Sequence, residues 1–170
     1  MKKRVAIISL LTTCVLVASL HIEWVEYDNG HLLVIDGTHM DLRGELSEQW
    51  NKVSRQCHRI RLVSPDESIH AQVQAAIMDY SPPQSSSANV VSLWSADDWL
   101  LAEVEFKELL PAVVLINKST TDLTIVSDAV WSGSTKPWKA APHIRNYLSN
   151  KVTGVSVDLF RCFEPRSNAF

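Results

Sequence analysis

The segment LLPAVVLINKSTTDLTIVSDAVWSG, residues 109–133, decides the fold. A proline precedes an unbroken apolar run over residues 112–116, and a polar turn over 117–122 separates that run from a second predicted strand over 123–131. Short apolar runs bounded by turn residues are typical of strands buried in a sheet. The segment therefore predicts a β-hairpin at the centre of a packed sheet.

Composition bounds the rest of the chain. Its 170 residues are 46% hydrophobic and 21% charged, which suits one folded domain with a substantial core. The formal net charge is −3, and removing the three cations at positions 2–4 leaves about −6 for the remainder. An acidic body lacks the clustered Lys and Arg that bind nucleic acid, so this class of partner is excluded from the expectations.

Residues 1–20, MKKRVAIISLLTTCVLVASL, have the order of an export signal: a basic tip followed by an apolar run over 5–20. Val17 and Ser19 are small enough for cleavage after Ser19, while the run is slightly short for a bilayer-spanning helix, which needs about 20 residues. A cleaved signal peptide and a retained inner-membrane anchor both fit. In either case the cations stay cytoplasmic, which places the domain of residues 21–170 in the periplasm of a bacterial envelope.

The number of cysteines outside the leader agrees with export to the periplasm. Outside the leader the chain has two cysteines, Cys57 and Cys162. An even pair in an exported domain predicts a disulfide bond, because oxidising compartments form and preserve such bonds. Cys14 lies inside the apolar run, in a poor version of a lipoprotein cleavage box, and is interpreted as an apolar helix residue.

Turn residues and hydrophobic periodicity predict the other elements of the body. In chain order these are a hairpin around Asn29-Gly30, a strand over 41–46, a helix capped by Ser47, a strand over 58–63, a helix from Ser64, a strand over 88–94, a helix over 96–109, the hairpin of residues 109–133, and a helix from Pro142.

From Asp41 onward this order resembles the thioredoxin-like fold, over residues 41–150. Leu110-Pro111-Ala112 is similar to the proline-led strand of that family, in which the proline is usually cis. The resemblance implies a single α/β domain with a mixed sheet and helices on both faces, preceded here by the N-terminal hairpin and the leader. A generic α/β sandwich fits the same order. Ser64-Pro65-Asp66-Glu67 stands where the family has its redox cysteines, which argues against oxidoreductase activity.

The candidate binding site is the loop over residues 131–138, WSGSTKPW. Trp131 and Trp138 bracket small hydroxylated residues, among them Ser132 and Ser134. Large aromatic side chains dominate many protein interfaces, so the loop is a candidate contact surface. The alternative is that Trp131 packs in the core and Trp138 staples the last helix.

Catalytic signatures are absent or degenerate. Ser132 or Ser134 with His143, and Asp128 behind them, contain the residue types of a hydrolase triad, but geometry must decide such a case and no GxSxG motif is present. His31 and His39 flank a turn without the three or four converging ligands of a metal site. No catalytic residue, metal or cofactor is assigned.

These observations lead to the expectation of a non-enzymatic, exported envelope protein that binds a partner protein. An accessory of a secretion or conjugation assembly and an immunity-type binder both suit its size and address. If the leader is retained, residues 5–20 would hold the protein in the inner membrane. The alternative expectation is a periplasmic hydrolase that uses Ser132 or Ser134 with His143.

Overall fold

The computed structural model describes residues 21–119, 122–167 and 170. The elements in chain order are β1 Ile22–Tyr27, β2 Gly30–Ile35, β3 Thr38–Met40, α1 Leu42–Ser54, β4 Arg61–Leu62, α2 Ser68–Tyr80, a 3₁₀ turn Gln84–Ser87, β5 Asn89–Ala96, β6 Trp99–Glu105, β7 Ala112–Lys118, β8 Leu123–Ser132, α3 Ala140–Ser149 and α4 Val157–Cys162. The leader expected over residues 1–20 lies outside the described part of the chain. Within that part, no helix combines the length and apolarity that a membrane crossing requires.

Five antiparallel strands, in the order β4-β5-β6-β7-β8, form the main sheet. Helix α2 covers one face, where Val73 and Ile77 pack on apolar side chains of β5, β6 and β7. Helices α3 and α4 cover the other face through a cluster that includes Ile144, Leu148 and Phe160. The prediction of one mixed α/β domain with helices on both faces is confirmed. The sheet itself is antiparallel in the described residues, so the prediction of a mixed sheet is wrong.

The hairpin of residues 109–133 forms as β7 and β8, with Ala112 opposite Ser132 and Lys118 opposite Leu123. The register shifts between Val114 and Ile116, where β8 bulges. Strand β7 lies between two neighbours and is fully buried over its first five residues. Strand β8 is an edge strand and β6 is the central one, so the hairpin lies beside the sheet centre and not at it.

The predicted helix over residues 96–109 is wrong, because this segment turns back at Asp97 and continues as β6. Ala96 pairs with Trp99 across a two-residue turn, and Asp97 has a φ of 50°. Residues Leu100 to Val104 are all buried, since helices cover both sheet faces. A strand buried on both faces loses the alternation of apolar and polar residues that marks a strand in the sequence. Its Leu, Ala and Glu content therefore resembles a helix.

The predicted strand over residues 41–46 is also wrong, because these residues begin α1. The Asp41 carboxylate accepts a hydrogen bond of 2.7 Å from the Gly44 backbone N–H and caps the helix. A Cβ atom on Gly44 would lie 2.0 Å from Asp41 Oδ2, so a larger residue here would force the Asp41 carboxylate to move. Ser47, the predicted cap, lies inside the helix.

These two corrections change the element order on which the resemblance to the thioredoxin-like fold was based. From Asp41 the chain runs helix, strand, helix, four strands and two helices. The cis peptide bonds in the described residues precede Pro83 and Pro137, and Pro111 is not among them. The resemblance therefore supports no further argument.

The N-terminal hairpin is confirmed and gains a third strand. Tyr27 pairs with Gly30, so the first turn is Asp28-Asn29, one residue earlier than predicted. Asp36 and Gly37 have φ values of 48° and 78° and form the second tight turn, in which positive φ at both positions suits the strand twist.

The predicted disulfide bond between Cys57 and Cys162 is confirmed. Its Cα atoms are 5.7 Å apart. The bond joins the segment that follows α1 to the last residue of α4. It therefore fixes the C-terminal end of α1 to the main body.

Candidate functional site

Helix α1 exposes its apolar face to solvent. Leu46, Trp50 and Val53 are 71%, 74% and 86% exposed. Their spacing of four and three residues places them on one side of the helix. A surface helix normally turns such a stripe toward the core, so the orientation of α1 is inverted.

The polar face of α1 accounts for this orientation. Glu48 Oε2 lies 2.6 Å from Arg145 Nη1, and the two side chains are only 13% and 10% exposed. Arg145 also donates from Nε and Nη2 to the Phe163 carbonyl oxygen, at 2.9 and 2.5 Å. The guanidinium thus links α1, α3 and the segment after α4.

Further contacts hold the same face of the helix along its length. They are Lys139 Nζ to Glu45 Oε2 at 2.7 Å, Lys139 N to Asp41 Oδ2 at 3.0 Å, Asn51 Nδ2 to the Arg161 carbonyl oxygen at 2.8 Å, and the ion pair between Arg55 and Glu164. At 100° per residue, Glu48 and Glu45 lie about 160° and about 140° around the helix from Trp50, and Asn51 lies about 100° from it. The apolar stripe therefore cannot rotate inward without breaking several ion pairs and hydrogen bonds.

The ion pairs Glu48–Arg145, Glu45–Lys139 and Arg55–Glu164 together form a clamp on the polar face of α1. Their charges favour this clamp at neutral pH. The hydrogen bond to Glu45 raises the pKa of Lys139, and the hydrogen bond from Lys139 lowers the pKa of Glu45. Burial lowers the pKa of Arg145, and the charge of Glu48 opposes that shift. An arginine stays protonated in proteins, so the buried pair remains ionic.

A cavity of about 210 Å³ lies beside the start of α1. Asp41, Arg43, Trp138 and His143 are among its lining residues. Burial lowers the pKa of His143, while the Asp41 carboxylate acts in the opposite direction. The cavity therefore has a neutral imidazole, a carboxylate and a guanidinium on its wall at neutral pH.

The predicted contact loop, residues 131–138, is less exposed than expected, because neither of its tryptophans is fully exposed. Trp131 is buried, with its ring 5.4 Å from that of Phe170 and 6.3 Å from that of His143. Trp138 is half-buried and its ring lies edge-on to Tyr27 at 6.3 Å, which fixes the three-stranded sheet to the loop. The core alternative thus describes Trp131, while Trp138 contacts the three-stranded sheet and also lines a cavity with Pro142 and His143 of α3.

Ser132 and Ser134 are exposed, but the structure does not bring Ser132 to His143. Successive strand residues point to opposite sheet faces, and Trp131 lies on the face that contacts His143. Ser132 instead lines an apolar cavity of about 440 Å³ beneath α2, with Ile77 and Val114. Among the described residues, no hydrogen bond joins His143 to Ser132 or Ser134. A Ser134–His143 pair stays a prediction.

One of the two turn histidines, His39, has a local partner. The Tyr27 hydroxyl and His39 Nε2 are 2.7 Å apart. In the part of the chain that the structure describes, no group of His, Cys, Asp and Glu side chains is arranged to hold a metal ion.

The exposed stripe of α1 is the feature that the sequence interpretation missed. Trp50 and Val53 have the spacing of an apolar stripe, which is typical of a buried helix face. The signal that could have corrected this is on the other side of the helix, where Glu45, Glu48 and Arg55 have spacings that also define a face. Comparison with known proteins adds no relative: no family model, curated protein or solved structure matches the chain.

Proposed function

We propose that this chain is a non-enzymatic, exported protein of the bacterial envelope that binds a partner protein through the apolar face of α1. The observation that carries the proposal is the inverted orientation of α1: Leu46, Trp50 and Val53 face solvent while ion pairs hold the opposite face. An accessory of a secretion or conjugation assembly, or an immunity-type binder, would use such a surface.

Physical magnitudes support a binding role for this face. Burying a large apolar side chain contributes about 1.5–3 kcal/mol, so three of them on one helix face represent a substantial unused driving force. Tryptophan is the residue type most enriched among interface residues that dominate affinity. The clamp holds α1 in place before binding, which reduces the entropy lost when a partner docks.

The geometry indicates the form of the partner surface. An apolar helix face with anchors at positions i, i+4 and i+7 is the kind of ligand that an apolar groove accepts. Arg43 and Gln49 are exposed on α1 next to the stripe and would form part of a polar rim. We therefore expect a groove whose apolar floor receives Trp50.

The disulfide bond supports the proposed location in the periplasm. Cytosolic reductants keep thiols reduced, whereas periplasmic proteins retain their disulfides. The bond between Cys57 and Cys162, together with the basic and apolar leader, favours export. A fusion of alkaline phosphatase to the C-terminus tests this directly, because the enzyme becomes active only after export. An inactive fusion that is stably made would contradict the proposed address.

Site-specific photo-crosslinking tests the binding surface. Benzoylphenylalanine in place of Val53 should capture one defined envelope protein, and Trp50→Gln should abolish that capture. Benzoylphenylalanine in place of Tyr80, which is 50% exposed at the end of α2, is the matched control and should not capture the same protein. Equal capture from both positions, or capture that survives both Trp50→Gln and Leu46→Asp, would contradict the proposal.

A further inference from the structure

The three-stranded sheet has a second exposed apolar surface. Residues directly opposite each other in antiparallel strands share a face. The register places these eight side chains on the outer face: Ile22, Trp24, Glu26, His31, Leu33, Ile35, Thr38 and Met40. Five of them are apolar, and Trp24 is 63% exposed. The inner face carries Leu32 and Val34, which are buried.

The apolar side chains of the outer face are concentrated at one end. Ile22 and Trp24 open β1, opposite Ile35 and Leu33. The polar pair Glu26 and His31 lies at the other end, next to the turn at Asp28-Asn29. The apolar half is thus the half nearest to the leader.

No spacer separates this sheet from the leader. The apolar run of the sequence ends at Leu20, and the His21 carbonyl oxygen accepts a hydrogen bond of 3.1 Å from the Asp36 N–H. The His21 ring reinforces this link, with Nδ1 2.6 Å from Asp36 Oδ1. Two extended residues span at most about 7 Å, so Ile22 cannot lie farther than that from the end of the run.

The length of the apolar run adds a second constraint. Its 16 residues would cover about 24 Å as a helix, less than the hydrocarbon thickness of about 30 Å. The first apolar residues of β1 would therefore be drawn toward the membrane interface, a zone roughly 5–8 Å deep in which tryptophan is enriched.

We infer that the outer face of the three-stranded sheet rests on the lipid bilayer, with Trp24 at the level of the headgroups. This inference rests on the export proposed above and requires that residues 5–20 remain in the membrane as an anchor. The contact is apolar in character, because the charged residues of the strands and turns of this sheet are all acidic and do not attract anionic lipid: Glu23, Glu26, Asp28 and Asp36. The contact uses residues of the three-stranded sheet and none of α1.

Quenching of tryptophan fluorescence tests the contact. The full chain is reconstituted into phosphatidylcholine vesicles whose acyl chains carry bromine near the headgroup. Wild type should lose part of its emission to bromine, and Trp24→Phe should lose most of that quenching. Trp50→Phe, which removes an equally exposed tryptophan from α1, should be quenched like wild type. Adding Met40→Trp to Trp24→Phe should restore quenching from the same face.

Each contrary result has a distinct meaning. Quenching of Trp24→Phe equal to that of wild type would overturn the contact, and so would a mature chain that mass spectrometry shows to lack the leader. Neither result affects crosslinking from position 53, so the binding proposal would stand. A C-terminal phosphatase fusion that is stably made but inactive would contradict both proposals. Raised salt should leave the quenching of wild type unchanged, and its loss in salt would overturn the apolar contact.

Discussion

The carboxylate of Glu48 meets the guanidinium of Arg145 at 2.6 Å, on the side of α1 that faces away from Trp50. Removal of one partner leaves an uncompensated charge in a site nearly closed to water, so Glu48→Ala should lower the free energy of unfolding by about 3 kcal/mol. The double variant Glu48→Met/Arg145→Met should lose less than this single variant. Urea unfolding measures both, and a double variant less stable than Glu48→Ala would contradict the expected coupling.

A second prediction concerns Glu103, a buried carboxylate of β6. It accepts hydrogen bonds from Ser92 Oγ at 2.7 Å and from the backbone N–H groups of Arg166 and Ser167, at 2.9 and 2.6 Å. Glu103→Gln replaces one acceptor oxygen by a donor and should cost about 1–3 kcal/mol for the donors left unpaired. Amide exchange of Arg166 and Ser167 should accelerate. Glu108→Gln, at an exposed position, is the control and should change stability by less than about 0.5 kcal/mol.

A third prediction follows from the lowered pKa of His143. Burial depresses its pKa in the folded state below the ordinary value of 6.5, so protonation favours the unfolded chain. The contribution is fully present above pH 6.5 and is lost as the pH falls toward the folded-state pKa. His143→Gln should flatten the fall in stability in that acidic range, measured by thermal unfolding across pH. Parallel profiles for wild type and His143→Gln would rule out this source of pH dependence.

A fourth prediction concerns the disulfide bond. Cys57 and Cys162 are separated by 105 positions, and the chain-entropy model assigns about 4–5 kcal/mol to the closure of so long a loop. Cys57→Ser/Cys162→Ser should therefore unfold at a markedly lower urea concentration, and a reductant should shift wild type to the same midpoint. A reductant that shifts the double variant equally would show that the effect does not come from this bond.

Local signals made part of the fold predictable. The apolar run of β7 has one strong interpretation and formed a buried strand as expected. Asp36 and Gly37 are residue types that favour a tight turn, and they form one after β2. The local sequence of the central strand β6 predicted a helix. Strand β6 lies between β5 and β7, and helices cover both faces of the sheet, so its side chains need not alternate between apolar and polar. Its Leu and Glu content is helical by propensity, and tertiary context overrode it.

The candidate site was less predictable than the fold. The pattern of α1 identifies two faces but does not say which one is buried. That choice depends on Arg145, Lys139 and Glu164, which lie about a hundred residues away in the sequence. The loop with Trp131 and Trp138 shows the reverse error, since two tryptophans beside serines suggested an exposed surface and one of them lies in the core.

The clamp on α1 also has a consequence for the steady-state amount of this protein in the cell. A chain that exposes Leu46, Trp50 and Val53 presents the kind of apolar surface that proteases and chaperones bind. Molecules without a partner would be removed, and those in a complex would be protected. On the binding role proposed above, we therefore expect the steady-state amount of the chain to follow the supply of the proposed partner.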